Sequence, residues 1–99
     1  SRHDYVVESL NSMPGVKCLN GQGAFFAFPD VSELIENINE VDNDLELADH
    51  MLEEAQVAVV PGSAFGSPGF IRISFATSRE TLEEAMTRIT NYINDYSKA

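Results

Sequence analysis

Arg72 is the residue whose type and setting most invite chemistry. It lies inside the apolar run Phe70-Ile71-Arg72-Ile73-Ser74-Phe75-Ala76, where the two-residue period of a strand puts Ile71, Ile73 and Phe75 on one face and Phe70, Arg72 and Ser74 on the other. A guanidinium in mid-strand must pair with an acid, reach solvent, or hold a carboxylate or phosphate through its planar fork. Spacing alone leaves these three roles open. The glycine-rich stretch Pro61 to Gly69 has the composition of a phosphate cradle, but it lacks the lysine of a P-loop and leads into a strand, not a helix N-terminus. A structured turn is expected there. His3 and His50 fall on helical patterns with no second His or Cys at ligand spacing and no nucleophile partner, so both are expected at the surface and no metal site is expected. Cys18 is the only cysteine; it cannot close an internal disulfide and fits a small, semi-buried residue in a reducing compartment. No carboxylate is marked by an apolar, water-poor setting that would tune it as an acid or base, and no Ser or Thr has a visible base. The chain carries no self-contained catalytic set.

These residues need elements to hold them. Tyr5, Val6 and Leu10 at helical spacing, stopped by Pro14-Gly15, predict a helix over 3–12. A short strand over 16–19, a turn over 20–23 and a strand over 24–28 ended by Pro29 follow, with Asp30 leaving the sheet. Val31, Leu34, Ile35 and Ile38 fit a short amphipathic helix. Asn43 and Glu46 have capping-box spacing ahead of Leu45, Ala48, Met51, Leu52 and Ala55, which predict the buried face of a second helix. Strands are predicted over 57–60 and 70–76. Thr77 and Glu80 then have capping-box spacing before Leu82, Ala85, Met86, Ile89, Ile93 and Tyr96, one face of a closing helix. This order does not alternate as a doubly wound fold would, so the expected class is α+β, a small, largely antiparallel sheet covered by helices.

Composition narrows the partners. The 99 residues are 43% hydrophobic and carry a net charge of −10, which fits one small folded domain and argues against nucleic-acid or anionic-membrane binding. All of that excess lies in the first 56 residues, and the acidic stretch from Asp30 to Glu54 reads as a solvated face. No apolar run reaches the ~20 residues of a membrane span and no signal peptide opens the chain; a cytoplasmic setting is expected. Because the chain begins Ser1-Arg2-His3, it is expected to be a piece of something longer.

Three ordered motifs then agree. Gly23-Ala24-Phe25-Phe26-Ala27-Phe28-Pro29, Val57-Ala58-Val59-Val60-Pro61-Gly62-Ser63-Ala64-Phe65-Gly66 and Phe70 to Ala76 resemble, in order and spacing, the C-terminal part of class I/II aminotransferases, with bacterial aspartate aminotransferases the most similar in look. The resemblance covers nearly the whole chain. It implies a small domain, residues 1–99, that closes over substrate in a fold-type I enzyme using pyridoxal 5'-phosphate (PLP). It also implies amino-group transfer between an amino acid, aspartate by the look of the motifs, and a 2-oxo acid, in a parent that forms homodimers. Arg72 would bind the α-carboxylate of the substrate and Phe25 would stand at the pocket edge. PLP would be held by a large domain, because the family's cofactor lysine has no counterpart: Lys17 and Lys98 are the only lysines, and neither has the family's surroundings. The resemblance therefore implies that the 99 residues alone are inactive. The competing class is a stand-alone, non-catalytic α+β module that binds a ligand or mediates assembly.

Overall fold

The computed structural model describes residues 2–18, 26–74 and 78–98, with backbone only for Arg2 and His3. In chain order the elements are α1 (Arg2–Asn11), β1 (Phe26–Ala27), α2 (Ser32–Asn37), α3 (Asp44–Ala55), β2 (Val60–Pro61), a 3-10 turn (Gly62–Phe65), β3 (Ile71–Ser74) and α4 (Arg79–Tyr96). The three described strands form one antiparallel sheet in the order β1-β3-β2. The α+β class expected from the sequence is the class observed.

Each helix forms where an apolar stripe meets a capping residue. In α4, Leu82, Met86, Ile89 and Ile93 recur every three or four residues and are buried. The cap differs from the expected one. Ser78 starts this helix by accepting from the Thr81 N–H, whereas Thr77 lies outside the described residues. In α3 the expected Asn43 cap is present, its side chain accepting from the Glu46 N–H at 2.8 Å. Glu46 reaches back one residue further than a capping box requires, to the Asp42 N–H at 2.8 Å.

The buried face of α3 is rotated from the expected one. Leu47, Ala48, Met51 and Ala55 face the core, while Leu45 and Leu52 are 50% and 54% exposed. Ala48, Met51 and Ala55 of the expected face are buried, but Leu47 replaces Leu45 and Leu52 beside them; Leu45, Ala48, Leu52 and Leu47, Met51, Ala55 are both helical spacings, so leucine spacing alone does not select the face, and packing of α3 on α4 does.

Around the sheet, two more boundaries shift. Asp30 does not leave the sheet: it forms isolated bridges to Lys17 on one side and Phe70 on the other. Of the strand expected over 57–60, Val60 pairs with Arg72, and the ladder runs on to Pro61 opposite Ile71; a cavity of about 220 Å³ is lined by Val57 and Ala58 together with Ile73 and Ser74 of β3 and Leu82 and Ala85 of α4. Gly15 adopts φ +82 against the backbone of Leu34, where a Cβ would meet Leu34 N at 2.9 Å, so only glycine closes α1 onto α2.

The resulting hydrophobic cluster joins all four described helices to Ala27, Ile71 and Ile73 of the sheet. With one shared core, the 99-residue chain is expected to unfold in a single cooperative thermal transition. Leu47→Ala, which empties a fully buried site, should lower stability by about 2–5 kcal/mol, and Leu52→Ala by no more than about 0.5 kcal/mol. Denaturant titrations of the two variants check the face of α3 directly; equal losses would contradict it.

Candidate functional site

The middle strand of the sheet is hydrogen-bonded on both edges, and this fixes which way its side chains point. Phe26 pairs with Ser74, Ala27 with Ile73, Val60 with Arg72 and Pro61 with Ile71. Ala27, Ile71 and Ile73 are buried in the core. Phe26, Val60, Arg72 and Ser74 therefore share the opposite face, where Ser74 is exposed and Arg72 half-buried. Phe75, expected on the core face, lies outside the described residues, and so does Phe25, so its place at a pocket edge has no structural account.

On that face the Arg72 guanidinium lies over an aromatic ring, its Cζ 4.6 Å from the centroid of Phe26. Phe28 follows Phe26 with centroids 6.4 Å apart, and Phe65 meets Phe28 edge-on at 5.9 Å and 80°. The three rings form a row from the glycine-rich turn to the arginine. Arg79 and Arg88 each bind a glutamate one turn along α4, Glu83 at 3.0 Å and Glu84 at 2.5 Å. Among the described residues Arg72 has no carboxylate partner. An arginine in this state can receive an external carboxylate without first breaking an internal pair.

A buried carboxylate supports the turn that supplies Phe65. Asp44, 2% exposed, accepts from the Ser63 N–H at 2.7 Å and the Ser63 hydroxyl at 2.8 Å, with the Gly69 N–H at 3.5 Å. Sequence reasoning marked none of the carboxylates as buried; Asp44 corrects that expectation. Ten acids between Asp30 and Glu54 hid it, and the only available signal was its place just after a helix cap, opposite a turn rich in N–H donors. Gly62 completes the turn, because a Cβ there would overlap the Ser67 carbonyl and press on that of Phe70. Burial pushes the Asp44 carboxyl up, but the hydrogen bonds from Ser63, from its own backbone and from Gly69 together outweigh it and hold the group below the ordinary carboxylate value.

His50 is not the surface histidine expected from spacing. Half-buried between α3 and α4, its Nδ1 shares a 2.6 Å hydrogen bond with the Tyr92 hydroxyl, and its ring meets Tyr92 and Tyr96 edge-on. Tyr96 donates to Glu54 at 2.5 Å. Burial, then the charge of Glu40, raises Tyr92 far above an ordinary phenol, and the Glu54 hydrogen bond raises Tyr96 to about 12. Both phenols stay protonated and join two helices. Cys18 is buried, and burial pushes its thiol up despite a hydrogen bond with the Phe28 backbone. Among the described residues no group of three His, Cys, Asp or Glu is placed to hold a metal, and no helix is long and apolar enough to cross a membrane.

Residues 1–89 match the family model for aminotransferase class I and II. The chain belongs to the class I and II aminotransferase family. It is 42% identical over 98 residues to the aspartate/prephenate aminotransferase of Nitrosomonas europaea, covering 94% of this chain and 25% of that protein. It is 41% identical over 96 residues to the aspartate aminotransferase of Bacillus subtilis, covering 97% and 24%. The crystal structure of the aspartate aminotransferase from Rhizobium meliloti superposes with a TM-score of 0.91 at 39% identity, covering 97% of this chain and 25% of that one. The chain thus spans about a quarter of the length of these relatives, and within that quarter the aminotransferase fold includes the Arg72 face.

Asp44 should make this part of the aminotransferase fold acid-sensitive. Its folded pKa lies below the ordinary carboxylate value, so the stability it contributes is present above that ordinary value and is lost as pH falls through the lower folded one. Asp44→Asn should lower stability at pH 7 by about 1.5–3 kcal/mol, the range for hydrogen bonds to a charged group. It should also flatten the stability profile below pH 4, read by denaturant titration at several pH values. An unchanged acid limb would contradict the assignment.

Proposed function

We propose that residues 1–99 are the small, substrate-clamping domain of a PLP-dependent aminotransferase, and that Arg72 is the group that binds the α-carboxylate of the substrate. The observation that carries this reading is the state of Arg72: half-buried on the sheet face opposite the core, its Cζ over the Phe26 ring, and without a carboxylate partner among the described residues. Family membership supplies the reaction class, amino-group transfer between an amino acid and a 2-oxo acid. The names of the relatives favour aspartate as the donor.

The residues of this chain do not fit PLP itself. Lys17 and Lys98 are both exposed, without the burial that prepares a lysine amine for covalent attachment. The cofactor is assigned to a large domain elsewhere in the full-length protein, where it would supply the electron sink. What this chain contributes is orientation. Two parallel N–H···O bonds from a planar guanidinium fix both position and plane of a carboxylate, which places the α-carbon before any proton moves. The aromatic row beside Arg72 presents an apolar wall, and closing such a wall over substrate excludes water and strengthens the ion pair beneath it.

Two outcomes are expected. The 99-residue chain has no transaminase activity, and absorbance titration with PLP gives no stoichiometric adduct that survives dialysis; such an adduct on Lys17 or Lys98 would contradict the assignment. In the full-length enzyme, Arg72→Ala should cost about 2–5 kcal/mol of transition-state stabilisation, a fall in kcat/KM of roughly 30-fold to several thousand-fold, and Arg72→Lys should recover only part because the fork is lost. Stability should hardly change. An enzyme indifferent to Arg72→Ala would assign the residue an architectural role.

A further inference from the structure

We infer that Phe26 is a positioning residue for Arg72: its ring carries the guanidinium on its face and keeps the N–H edge turned toward an incoming carboxylate. This rests on the reading of Arg72 as the carboxylate clamp. The chain is strongly acidic, with sixteen Asp and Glu against six Lys and Arg, and Arg79 and Arg88 have both been taken up by neighbouring glutamates. A guanidinium in such a field is expected to find an acid as well, and among the described residues Arg72 has none. Its Cζ lies 4.6 Å from the Phe26 centroid, well inside the range in which a cation is held by a ring quadrupole; Arg79, 4.0 Å over the Tyr5 ring, still binds Glu83, so contact with a ring leaves an arginine free to take a carboxylate. Stacking uses the flat face of the guanidinium, whereas its five N–H donors lie in the plane and point outward from the edge. A guanidinium held by its face in this way keeps the fork open.

Register explains why Phe26 is the residue that does this. Phe26 is paired with Ser74, and Arg72 lies two residues along the same face of the same strand, the diagonal position that an aromatic and a long side chain can span. The ring is itself held. Phe28 tilts against it at 51°, and Phe65 closes on Phe28 edge-on. Phe65 comes from the 3-10 turn whose Ser63 is bonded twice to buried Asp44. Arg72 is therefore referenced, through three rings, to a turn anchored in the core. A flexible arginine would lose several rotors on gripping substrate, and one already laid on a ring loses fewer.

The test uses the full-length enzyme, with L-aspartate as substrate and 2-methyl-aspartate, whose missing α-hydrogen blocks turnover, as inhibitor. Phe26→Leu keeps an apolar side chain and removes the ring. It should raise the KM for L-aspartate and the inhibition constant of 2-methyl-aspartate together by about 2-fold to 30-fold, with kcat within about 2-fold and thermal midpoint little changed; Phe26→Tyr, which keeps the ring, should stay within about 2-fold of the parent in both. In an Arg72→Ala background, Phe26→Leu should add nothing, because the residue acts through the arginine. If Arg72→Ala strongly weakens both constants but Phe26→Leu leaves them unchanged, or weakens them equally with and without Arg72, the positioning role is overturned and the clamp stands. If Arg72→Ala leaves both constants unchanged, the clamp reading itself falls and takes this inference with it.

Discussion

The central strand β3 is bonded on both edges, and the arrangement of the whole sheet follows from that. A strand with a partner on each side cannot slip by one residue without turning every side chain to the wrong face. Ile71 and Ile73 are committed to the core by burial, so Arg72 is committed to the outer face by register. The charge does not choose its position; two neighbouring isoleucines choose it. This makes the placement of the arginine as stable as the core itself, while leaving its side chain outside that core.

Two supports converge on the same face from different parts of the chain. From the N-terminal side, β1 brings Phe26 beside Arg72 and Phe28 beside Phe26. From the other, the turn after β2 brings Phe65 to Phe28, and that turn is held by the Asp44 carboxylate at the head of α3. A buried carboxylate would be costly without partners, and Asp44 has them in the N–H groups that a tight turn leaves unpaired. The turn needs an acceptor and the acid needs donors. Gly62 is required because the turn folds back until there is no room for a side chain. Away from this face, the His50, Tyr92, Tyr96 and Glu54 side chains link α3 to α4 and carry none of the proposed chemistry.

Much of this was legible in the sequence because it rests on periodicity. The alternation Ile71, Arg72, Ile73 and the stripe Leu82, Met86, Ile89, Ile93 predicted faces that packing then kept. What escaped detection depended on residues distant in sequence. Leu45 and Leu47 fit helical stripes equally well, and only the position of α4 decides between them. Asp44 looks like any of its acidic neighbours until Ser63, nineteen residues on, is folded against it. Phe26 was one of several aromatics, and its role depends on a register that no local pattern states. Asp30 was expected to leave the sheet because proline precedes it, yet its own N–H and C=O both bond Lys17. The family's three motifs were readable because each is continuous in sequence; the contacts of Phe26 and Phe28 with Arg72 and Phe65 join residues far apart in it.

The most direct test is a crystal structure of the full-length protein with 2-methyl-aspartate. The account predicts the α-carboxylate of that analogue in a two-pronged contact with Arg72, at about 2.7–2.9 Å, with the guanidinium still over the Phe26 ring. A carboxylate bound elsewhere, with Arg72 paired to an acid of the protein, would contradict it.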